Sequence, residues 1–173
     1  MRGIFSQLPA DSLAAAMAPV AERCERLDWA VALQSGPLRF PYYDEDHPDR
    51  LLSYHHVEGP APMHWFGRGF LPRYADCLVL DEWSYYVGFD SRLVGAAELA
   101  ERLAGDLSPG ARLFDAVARH DLLYLLRVDA GWWEAYAADG DTLGRLRQGW
   151  PGREVSSRRW VDGTWRLGTL GPH

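Results

Sequence analysis

Two pairs of short segments constrain this chain more than anything else in it. "DLLYLLRV" and "WWEAYAA" are separated by Asp129-Ala130-Gly131 alone, and "VSSRRWV" and "TWRLGTL" by Asp162-Gly163 alone. Segments this close can pair only as antiparallel neighbours, because parallel partners need a crossover of about a dozen residues or more. Asp-Gly between two such runs is a strong hairpin signal, and a three-residue loop with Gly is the next commonest connection.

Further β character lies upstream. "AVALQ" (30–34), "LLSYHHVE" (51–58) and "MHWFG" (63–67) read as short strands, the last two flanking the turn-forming "GPAP". "DCLVLDEWSYYVGF" (76–89) exceeds one average strand and is expected to bend near Asp81-Glu82.

Helical periodicity separates these pieces. Leu13, Met17, Val20, Cys24 and Leu27 recur at alternating four- and three-residue spacing, one apolar stripe with Asp11 or Ser12 as N-cap. Pro19 falls inside the stripe, where it removes a donor and crowds the preceding turn, so the helix kinks or restarts there. "SRLVGAAELAERLAG" puts Leu93, Ala96, Ala100 and Leu103 on one face, with Gly105 as the stop. "SPGARLFDAVARH" opens with a Ser108 cap and Pro109 in the first turn, and "DTLGRLRQGW" ends before Pro151 with Asp141 as its cap. Strands that arrive in hairpin pairs predict an α+β fold: a mainly antiparallel sheet with about three to four helices packed on it. No linker, repeat or low-complexity tract divides residues 1–173, so one domain is expected.

Composition removes many chemistries. The chain has no lysine and no asparagine, and Ile4 is its only isoleucine, a pattern expected of a GC-rich bacterial genome. Without lysine there is no Schiff base and no P-loop lysine. Cys24 and Cys77 are the only cysteines and form no CxxC, so they read as small buried residues. No apolar run approaches the ~18 residues of a membrane span. The apolar part of the N-terminus is broken by Gln7, Pro9 and Asp11, which predicts mature structure and a cytoplasmic protein.

Four groups of residues carry the candidate chemistry. "YYDEDHPDRLLSYHH" (42–56) holds four carboxylates and three histidines. His55 and His56 point to opposite faces of a strand, and one of them could approach His64 across a 51–58/63–67 hairpin, with Asp44, Asp46, His47 or Asp49 of the preceding loop as third ligand. HExxH and the zinc-deaminase spacing are missing, so hydrogen-bonded structural histidines are the simpler reading and no cofactor is expected. Asp81 and Glu82, beside Trp83, could form half of an acid/base pair. Neither GxSxG nor SxxK occurs.

The arginines and tryptophans of the tail, among them Arg145, Arg147, Arg158, Arg159, Arg166, Trp150, Trp160 and Trp165, could grip single-stranded nucleic acid. The net charge of −6 argues against it, and alternation along "SSRRWVDGTWRL" puts apolar and charged groups on opposite faces of a hairpin, leaving arginines to pair with the acidic body. That body is pronounced: 22 acidic residues against 12 Arg through Thr142, then 2 against 6 beyond it. In "GWWEAY", Trp132 and Trp133 face opposite sides of a strand, so one of them can lie outside the core.

An acidic body rich in aromatics and poor in catalytic signatures predicts a binding protein rather than an enzyme. Its concrete form is a bacterial inhibitor of the immunity or antitoxin kind, which occludes a basic partner enzyme and binds neither nucleic acid nor membrane. Asp44, Glu45, Asp46 and Asp49 would steer the partner, and Tyr42, Tyr43 and Trp65 would anchor it. The rival is a metal-dependent enzyme or small-ligand binder built on His55, His56 and His64.

Overall fold

The structure, a computed structural model, describes residues 2–6, 12–33, 59, 63–76, 78, 84–103, 121–128, 132–161 and 164–169. Its strands are β1 (Arg2–Ser6), β2 (Asp28–Leu33), β3 (His64–Phe66), β4 (Ser84–Phe89), β5 (Leu123–Val128), β6 (Trp132–Ala137), β7 (Gly152–Val161) and β8 (Thr164–Thr169). Its helices are α1 (Leu13–Met17), α2 (Ala21–Cys24), α3 (Phe70–Tyr74), α4 (Ala96–Leu103) and α5 (Gly140–Gly149), with a 3-10 turn (Ala18–Val20) between the first two. This is the expected α+β architecture.

The strands form one eight-stranded sheet in the order β3-β2-β4-β5-β6-β1-β7-β8, and every neighbouring pair is antiparallel. Both predicted hairpins are present. Val128 pairs with Trp132 across the three-residue connection, and Val161 with Thr164 across Asp162-Gly163. β1 lies between β6 and β7, so α5 carries the chain over the N-terminal strand.

Among the described side chains the core is held by five strands, β3-β2-β4-β5-β6, which are buried on both faces. One face presents Trp29, Val31, Tyr86, Leu125, Trp133 and Ala135 to α1, α2, α3 and α5; the other presents Ala30, Val87, Tyr124, Leu126 and Tyr136 to α4. Double-sided burial explains why residues 122–126 read as an unbroken apolar run rather than an alternation. Burying a leucine such as Leu125, 0% exposed, contributes about 1.5–3 kcal/mol relative to leaving it in water.

The N-terminal helix follows its sequence. The Ser12 side chain caps it by accepting from the Ala15 amide at 3.1 Å. At Pro19 the α-helix gives way to the 3-10 turn and restarts as α2, because proline cannot donate to the preceding turn. Leu13, Met17, Val20, Cys24 and Leu27 are all buried. Packing is tight where this segment meets the sheet: a Cβ on Gly88 would stand 2.8 Å from Leu27 Cδ1 and 3.0 Å from the Trp29 ring.

Two expectations are corrected. The helix around "AAELAERL" begins at Ala96, not before Leu93; Leu99 and Leu103 are its buried residues, and Leu93 is 65% exposed. The cap of α5 is Asp139, whose side chain accepts from the Thr142 amide at 2.7 Å, and Asp141 sits in the first turn instead. The predicted helix at 108–120, the strand at 51–58 and the bend at Asp81-Glu82 lie outside the described residues. Among the described residues no helix is long and apolar enough to cross a membrane.

Candidate functional site

Of the anchors proposed for a partner, Trp65 is the one inside the described residues, and it is a core side chain. It is 1% exposed, meets Phe89 edge to face with centroids 5.8 Å apart, and lies so close to Gly59 that a Cβ there would run into the indole. The reason is its strand position: β3 pairs with β2 with Trp65 opposite Ala30, which turns the indole toward the α4 layer. Trp65 is therefore unavailable as a surface anchor. Tyr42, Tyr43, Asp44, Glu45, Asp46, Asp49, His55 and His56 lie outside the described residues. His64 is half-buried at the start of β3, opposite Val31. Among the described residues no three His, Cys, Asp or Glu side chains converge as a metal site would need.

At the opposite end of β5 and β6 the fold builds a cleft of about 360 Å³ between α2, the 90–95 segment and the start of α5. Arg23 forms its floor. One guanidinium nitrogen pairs with the Asp139 carboxylate and donates to Thr142 Oγ1 at 2.8 Å; the other donates to the Asp121 carbonyl at 2.7 Å and its carboxylate at 3.0 Å. Three stretches remote in sequence converge on this one side chain. Asp121 has φ 53, a left-handed conformation in which its carbonyl and carboxylate both meet Arg23. Around the rim Glu22 pairs with Arg26 at 3.3 Å and Arg145 at 3.5 Å, while Asp141 is exposed and lines the same cleft.

The 90–95 segment is a rigid turn. The Asp90 carbonyl accepts from the Leu93 and Val94 amides at 2.9 and 3.1 Å, and its carboxylate accepts from the Arg92 amide at 3.0 Å and Arg92 Nε at 2.9 Å. The Asp28 carboxylate receives the Ser91 amide at 3.1 Å, and Arg68 reaches the Asp90 carboxylate at 3.2 Å. Hydrogen bonds from Arg92 hold the Asp90 carboxyl far below the usual carboxylate range. Val94, 1% exposed, plugs the turn into the core and leaves Leu93 pointing to solvent.

Asp90 is held ionised and so is unsuited to proton donation, and Thr142 is buried with its hydroxyl occupied by Arg23. Cys24, the buried last residue of α2, has its thiol pushed up to about 12 by burial, far from the thiolate a nucleophile needs. On the α4 side of the sheet a buried carboxylate, Glu134, accepts from the Tyr136 hydroxyl.

In the tail Arg145 reaches Glu22, and the Trp150 indole is buried with Nε1 donating to the Ala16 carbonyl at 3.2 Å, while the side chains of Arg158, Arg159 and Arg166 lie outside those described. Trp132 is 38% exposed and Trp133 1%, on opposite faces of β6 as predicted. Sequence reading missed both Arg23 and Leu93. Nothing local marks Arg23, whose partners are 98 and 116 residues away. For Leu93 a signal did exist: Asp90-Ser91 before a helical run is the turn chemistry that stops a helix short of Leu93.

No family model matches this chain, and comparisons with curated proteins and with solved structures return no significant match.

Proposed function

We propose that this protein is an inhibitor that binds another protein, of the kind that shields a bacterial cell from a toxic basic enzyme. The observation that carries the reading is the turn at Leu93: a leucine 65% exposed, on a backbone fixed by Asp90 and Asp28, beside an ionic cleft. A rigid apolar knob within a charged surround loses little entropy on docking and excludes water where it lands. The net charge of −6 would draw a basic partner in and raise the association rate. In this reading Asp44, Glu45, Asp46 and Asp49 are the acidic residues expected to steer the partner, with Tyr42 and Tyr43 as neighbouring anchors in sequence. Inhibition follows from occlusion and needs no chemistry from this chain.

The test begins with the product of the neighbouring reading frame. Expressed alone it should arrest growth, and co-expression with this protein should restore it. The purified pair should bind more weakly as salt rises, and Leu93→Asp should weaken the complex at least tenfold. Replacing Asp44, Glu45, Asp46 and Asp49 by their amides should lower the association rate and flatten the salt dependence. A harmless neighbour, or a complex indifferent to both salt and Leu93→Asp, would sink the proposal.

A further inference from the structure

We infer that the cleft beside Leu93 is a receptor for one basic side chain, an arginine or lysine, of the partner protein; this rests on the binding reading above and assigns it a contact. Charge is the first argument. Among the described residues the cleft's walls hold four arginines and five carboxylates. Arg23 is matched by Asp121 and Asp139, Arg92 by Asp90, and Arg26 and Arg145 share Glu22. That leaves Asp141, exposed on the first turn of α5, with no ion pair among the described residues. The described lining thus carries a net surplus of one negative charge, and Asp141 is its carboxylate with no ion-pair partner among the described residues.

Shape and polarity agree. Arginine and lysine present an aliphatic stem with a cationic tip, and they are favoured where apolar and anionic surfaces adjoin. Here Leu93, Leu27 and Val20 line the same space as Asp141. A volume of about 360 Å³ is at the small end of ligand-sized clefts, which run from about 300 to 1,000 Å³, and suits one side chain better than a peptide. The walls are also preorganised: Arg23 locks α2 to the start of α5, and Asp90 locks the turn that carries Leu93. An anionic side chain would add to the surplus negative charge of the described lining.

The probe is N-acetyl-arginine methylamide, titrated into the full-length protein and followed by amide NMR, with the neutral isostere N-acetyl-citrulline methylamide as control. The arginine compound should shift the Leu93, Asp141 and Thr142 amides saturably, with Kd on the order of millimolar, and bind about threefold more tightly than citrulline. Asp141→Asn should abolish that preference, whereas Asp76→Asn, which removes an exposed carboxylate outside the cleft, should leave it intact. Circular dichroism establishes that both variants fold. Equal binding of the two compounds, no saturable shift at the cleft, or a preference that survives Asp141→Asn would each overturn the assignment. Arginine binding at the cleft combined with a harmless neighbouring gene product would overturn the inhibitor reading and retain the receptor. A toxin neutralised by a protein whose cleft stays silent would do the reverse.

Discussion

The Arg23 guanidinium and the Asp139 carboxylate form a direct ion pair although 116 residues separate them. Asp139 also caps α5 through the Thr142 amide, so one carboxylate closes both a helix end and a tertiary contact. Arg23 adds the start of β5 through Asp121. The cleft exists because these three elements are held together at one point.

Arg23→Ala should therefore destabilise the fold by about 2 kcal/mol, less than the 3–5 of a fully buried pair because the Arg23 side chain keeps 17% of its exposure. Arg23→Lys keeps the charge but cannot reach Asp139, Thr142 and Asp121 together, and should recover less than half of the loss. Urea unfolding of the three proteins measures this, and equal stability of wild type and Arg23→Ala would refute it.

The two leucines flanking the start of α4 should behave oppositely. Leu99 is 0% exposed in the layer over Val87 and Leu126, so Leu99→Ala should cost about 2–5 kcal/mol. Leu93→Ala, at 65% exposure, should change stability by no more than about 0.5 kcal/mol while weakening partner binding. Thermal denaturation separates the pair, and a large loss at Leu93 would mean that it supports the fold.

Cys24 should make the protein alkali-sensitive. Its thiol is raised by burial from the ordinary 9.0 to about 12, so above pH 9 the unfolded chain releases a proton that the native state retains. The contribution is fully present below pH 9 and is lost as pH rises toward about 12. In a Cys77→Ala background, stability should fall with pH over that window, and Cys24→Ala should flatten the slope. The same thiol should resist alkylation at pH 8 until denaturant is added.

Asp90 should titrate in the opposite sense. Its folded value is depressed by the hydrogen bonds from Arg92, so its contribution is present above the usual carboxylate range, about pH 3.9, and is lost as pH falls below it. A carboxyl-carbon NMR titration should find Asp90 still ionised at about pH 3, where ordinary aspartates are largely protonated. An ordinary midpoint would mean that the turn presenting Leu93 is not held by this residue.

The fold class, both C-terminal hairpins, the break at Pro19 and the opposed faces of Trp132 and Trp133 were legible in the chain, because each depends on neighbours a few residues away. Turn chemistry, proline sterics and the two-residue period of a strand all act locally. The placing of Trp65 inside was decided only by tertiary structure, and that of Leu93 outside only in part, since Asp90-Ser91 is local turn chemistry whereas the Asp28 contact is not. Trp65 went in because β3 docks beside β2 in a register that turns it toward α4; Leu93 stayed out because Asp90 and Asp28 capture the turn before the helix begins. The cleft is the extreme case. A helix-face arginine looks like any solvated charge until folding brings residues 98 and 116 positions away within hydrogen-bond distance, and no local pattern encodes that approach.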